Sequence, residues 1–84
     1  MTTKLYDYII ENVLKKYLGF GAKDFLDRQI KFHLKVEPPD NITTANLDEL
    51  ANWCFISSKL YLKNDALAEE IKQKLLSLKT AFKN

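Results

Sequence analysis

Asn46-Leu-Asp-Glu-Leu-Ala-Asn-Trp-Cys-Phe-Ile-Ser-Ser-Lys-Leu-Tyr-Leu-Lys63 is the stretch on which the fold turns. At about 100° per residue, Leu47, Leu50, Ala51, Cys54, Phe55, Tyr61 and Leu62 share one face of a helix. Trp53, Ile56 and Leu60 form a second apolar stripe on nearly the opposite side. A helix with two apolar stripes is either central to a bundle or borders both a core and a partner. Asn46 as N-cap, with Glu49 three positions later, resembles a capping box in which Asn replaces Ser or Thr. The spacing predicts a helix over 46–63.

Downstream, Lys63-Asn64-Asp65 reads as a tight break, with Asn64 capping a helix over 65–82. Leu67, Ile71, Leu75, Leu78 and Phe82 give that helix a narrow apolar stripe, and Lys72, Lys79 and Lys83 line its solvent side. Upstream, Glu37 to Ala45 is a long connection. Pro38 disfavours helix at Glu37, Pro38-Pro39 is extended, and Ile42 is expected to anchor the segment. Before it, residues 22–35 separate charge from apolar surface. Asp24, Asp27, Arg28, Lys31 and Lys35 lie on one side, with Asp24–Arg28 and Asp27–Lys31 at i,i+4. Phe25, Leu26, Ile30, Phe32 and Leu34 lie on the other, with Gln29 and His33 in their midst. Gly19-Phe20-Gly21 reads as a turn, with Phe20 folding back on the core.

A first helix is expected over 3–18, capped by Thr2 or Thr3. Its apolar residues cover an arc of roughly 220°, twice what a surface helix needs. Glu11 and Lys15 pair on the remaining polar side. Together these segments predict an all-α fold. It is a small four-helix bundle forming one domain over 1–84, with the Pro-Pro connection between helices 2 and 3.

Composition narrows the function classes. In 84 residues the single Cys excludes an internal disulfide, and a net charge of +2 creates no obligatory nucleic-acid or membrane partner. Two Gly and two Pro leave little material for a turn-rich β fold. The first residues lack the uninterrupted apolar core of a signal peptide, and no stretch approaches the ~18 apolar residues of a membrane span. A cytoplasmic chain is expected.

Gln29 and His33, one turn apart, are expected as a buried, hydrogen-bonded polar pair; the sharper alternative is a small pocket. Cys54, on the main apolar face, is expected to act as a small hydrophobe. No metal-spaced ligand set, phosphate loop or nucleophile elbow is present, so neither cofactor nor metal is assigned and no enzyme is expected.

Glu49-Leu-Ala51 and Ile56-Ser57 resemble the first helix and turn of AraC-type transcription activators, over residues 47–63. That resemblance implies a degenerate helix-turn-helix in which Ser58, Lys59, Leu62 and Lys63 face DNA. Phe55 stands where the turn usually has Gly, and a continuous helix accounts for the same residues. The apolar excess instead points to a small non-catalytic protein–protein interaction module that self-associates as a homodimer or binds another protein. Leu5, Ile9, Trp53, Ile56 and Leu60 are the expected interface. The DNA-binding protein is the alternative, and no membrane is involved.

Overall fold

The computed structural model describes residues 4–82, all helix and connection with no strand among them. The helices are three, so the chain is not the expected four-helix bundle. Helical segments follow one another over residues 5–34, bent at Gly19 (α1), then come Leu47–Leu62 (α2) and Asp65–Ala81 (α3). One-turn 3-10 segments at Pro39–Asn41 and Thr44–Asn46 lie between α1 and α2. The helices expected at 3–18 and 22–35 are two limbs of one helical stretch.

The cause lies at Gly19. Its positive φ of 61° reverses the chain, a conformation glycine adopts without a Cβ penalty. Gly19–Gly21 then continues as a 3-10 turn, not an open loop, with the Gly19 amide donating to the Lys15 carbonyl and the Ala22 amide to the Gly19 carbonyl. The limbs fold back on each other, and the Tyr6 hydroxyl donates to the Asp27 carboxylate. Burial, with that hydrogen bond, holds the Tyr6 phenol above its ordinary range. Asp27 also takes Lys23 at 3.1 Å, and neither expected pair, Asp24–Arg28 or Asp27–Lys31, forms. Glu11 and Lys15 do pair, at 3.4 Å. Phe20 points outward, because Leu14, Ala22 and Leu26 already complete the core around the bend.

Each limb contains one π-helical turn, at Ile10–Leu14 and Ile30–Leu34. Such a wider turn sets back the angular position of every later side chain. The broad apolar arc of the first limb is spent inside the molecule. Leu5 and Ile9, expected at an interface between copies, are 2% and 0% exposed and belong to the core. Tyr8 meets Phe82 edge to face at 5.5 Å, and Tyr17 donates to Glu70 at 3.0 Å, so α3 covers the rest. The expected caps at Thr2 and Thr3, and Lys83, lie outside the described residues.

Lys35 ends α1 in the left-handed region, and the cis Glu37–Pro38 peptide opens the connection. Asp40 is tied to Lys4 at 2.8 Å, a contact that holds the Asp40 carboxyl below its ordinary range. Ile42 is buried and anchors the segment. The capping box sits one turn earlier than expected. Asn46 turns back to accept from the Thr43 backbone at 2.9 Å and makes no side-chain cap on α2. Asn64 caps α3 by accepting from the Leu67 amide at 3.1 Å. The lysine row of α3 is engaged: Lys72 lies over the Phe55 ring and Lys79 pairs with Asp48 at 2.8 Å.

Candidate functional site, the face between α1 and α2

α2 runs unbroken through Phe55 and Ile56, so the bend that a helix-turn-helix requires is not there. The four residues of that alternative do not form one surface either. Ser58 is fully buried, with no partner for its hydroxyl, and Leu62 is half-buried. Lys59 lies over the Phe55 ring, and Lys63 ends the helix in the left-handed region.

The buried row of α2 is Leu47, Leu50, Ala51, Cys54 and Ser58. Ser58, not Tyr61, continues it. Burial pushes the Cys54 thiol far above its usual range, so it is protonated at neutral pH and a poor nucleophile. Cys54 and His33 share no hydrogen bond among the described residues.

The other side of α2 meets the second limb of α1 in three antiparallel rungs. His33 stacks on Trp53 with ring centroids 3.8 Å apart and planes 7° from parallel. One turn along, the Ser57 hydroxyl donates to Gln29 Oε1 at 2.9 Å. One turn further, Phe25 meets Tyr61 at 6.2 Å. Each rung steps four residues back on α1 and four forward on α2, the spacing that keeps side chains on one helix face. The expected buried polar pair is therefore split. Gln29 is buried and finds Ser57, whereas His33 is exposed and caps Trp53. His33 sits within the π turn at the exposed end of that face.

Beside the rungs the surface opens. A groove of about 490 Å³ is lined by Gly21, Asp24, Phe25, Arg28, Gln29, Ser57, Leu60 and Tyr61. In its wall Leu60 is 76% and Tyr61 65% exposed, and on the same two helices Ile56 is 41% and Phe32 69% exposed. Of the expected interface, Trp53, Ile56 and Leu60 come together here, Trp53 half-buried beneath His33. Phe32, Tyr61 and Ser57 complete the face and were not singled out by sequence. For Ser57 and Tyr61 the signal was the four-residue register between two helices, which only the paired structure displays. Groups of three or more His, Cys, Asp or Glu able to hold a metal ion are absent among the described residues. No helix among them is long and apolar enough to cross a membrane. No family model, curated protein or solved structure matches the chain.

Proposed function

We propose that this chain is a non-catalytic protein-interaction module of the cytoplasm that self-associates through the face between α1 and α2. The observation that carries this is the exposure of Leu60 and Tyr61 in the wall of a groove that also holds the Ser57–Gln29 hydrogen bond, with Phe32 and Ile56 exposed on the same two helices. Large apolar side chains grouped on one face mark interaction surfaces more often than isolated ones do. Full burial of each contributes roughly 1.5–3 kcal/mol. The aromatic rungs support the ridge with little conformational freedom, which lowers the entropic cost of association.

Sedimentation at roughly 100 µM, well above a micromolar dissociation constant, tests it. The native chain should run as a dimer, and Leu60→Asp should run as a monomer with unchanged helicity. A native chain that stays monomeric overturns self-association. If that monomer also shifts duplex DNA in a salt-sensitive way, the DNA-binding alternative takes its place.

A further inference from the structure

Four exposed side chains follow one another along α1 at steps of four: Phe20, Asp24, Arg28 and Phe32. Phe20 and Phe32 are among the largest exposed apolar groups of the molecule. Asp24 and Arg28 have the ideal acid-first spacing for an ion pair, yet neither makes one among the described residues. Arg28 is also the single arginine of the chain. The order along the helix is apolar, acid, base, apolar. Reversed in direction, that order is its own complement.

We propose that this stripe is the two-fold contact of a homodimer, with Asp24 of each copy paired to Arg28 of the other. This rests on the self-association reading above and names the contact that sets its geometry. In a two-fold dimer each contact occurs twice with the roles exchanged. An axis between Asp24 and Arg28 brings the two stripes together antiparallel and closes both ion pairs. The same alignment sets Phe20 of each copy opposite Phe32 of the other. A parallel alignment would place acid on acid and base on base, which interfaces disfavour strongly. Leu60 shares the groove wall with Asp24 and Arg28, so the charged stripe and the apolar ridge of α2 belong to one contact surface. The planar fork of arginine suits a carboxylate held at a desolvated interface better than lysine does.

Charge reversal tests the pairing by sedimentation and native mass spectrometry, with circular dichroism confirming that each variant is folded. Asp24→Arg and Arg28→Asp should each lower homodimer affinity at least about 100-fold, because each sets like charges against one another twice. An equimolar mixture of the two variants should form a heterodimer of near-native affinity. The double variant Asp24→Arg/Arg28→Asp should dimerise alone. If the native chain dimerises and both single variants do so equally well, the pairing is wrong while self-association stands. A mixture that remains monomeric also overturns the pairing. A native chain that is monomeric removes both.

Discussion

Ser57 and Ser58 are neighbours on α2, about 100° apart on its surface, and meet different partners. Ser58 belongs to the buried side, with Leu50, Ala51 and Cys54, where α3 is the principal neighbour and supplies Ala68, Ile71 and Leu75. Ser57 belongs to the side against α1, where contacts are aromatic or hydrogen-bonded and the groove stays open. The first side is buried and, apart from Ser58, apolar. The second holds its register through specific pairs and leaves apolar bulk in water. One helix thus carries a face that stabilises the monomer and a face that the monomer alone does not use up. The narrow apolar stripe of α3 needs only the first.

The largest effect separating the two faces should come from truncation in the core. Ile71→Ala removes a fully buried side chain and should cost about 2–5 kcal/mol in urea unfolding. Leu60→Ala, on the open side, should change monomer stability by less than about 0.5 kcal/mol. Equal costs at the two positions would mean that the faces are not different in kind.

The serines sharpen the contrast at smaller amplitude. Ser57→Ala takes the donor from Gln29 and should destabilise by about 1 kcal/mol. Ser58→Ala removes a buried hydroxyl that has no partner and should stabilise by up to about 1 kcal/mol. Thermal unfolding of both variants gives the sign directly, and a reversal of signs would exchange the two assignments.

Much of this division was legible from side-chain spacing. The two stripes of α2, the Asn64 cap and the buried Ile42 all follow from residue type and helical period. The bend did not, because Gly-Phe-Gly is compatible with an open turn as well as with a 3-10 continuation. Nor did the side taken by Tyr61, since a helical wheel fixes angles about its own axis and not the neighbour that each angle meets. His33 lies at the exposed end of the rung ladder, and its partner is the Trp53 ring, not Gln29. Asp24 and Arg28 looked like a satisfied pair because the spacing allows one, and the structure leaves them apart.

The smallest expected effect lies at the join between α2 and α3. Lys63 occupies the left-handed region with φ of 53°, where an L side chain is strained and glycine is not. Lys63→Gly should raise stability by up to about 1 kcal/mol in chemical denaturation and leave association unchanged. A loss of stability would show that the lysine side chain contributes more at this cap than its backbone costs.

The brevity of that join has a kinetic consequence. Only Lys63 and Asn64 separate α2 from α3, and only the Gly19–Gly21 turn separates the limbs of α1. Both helical hairpins therefore close over short loops, the condition under which chains fold in microseconds to milliseconds. The rungs between α1 and α2 join residues much further apart, 28 positions in the case of Gln29 and Ser57. Like the Tyr17–Glu70 contact between α1 and α3, 53 positions apart, they close more chain than either turn does. Docking of α1 on the α2–α3 hairpin, rungs and groove included, therefore follows the closure of the two turns.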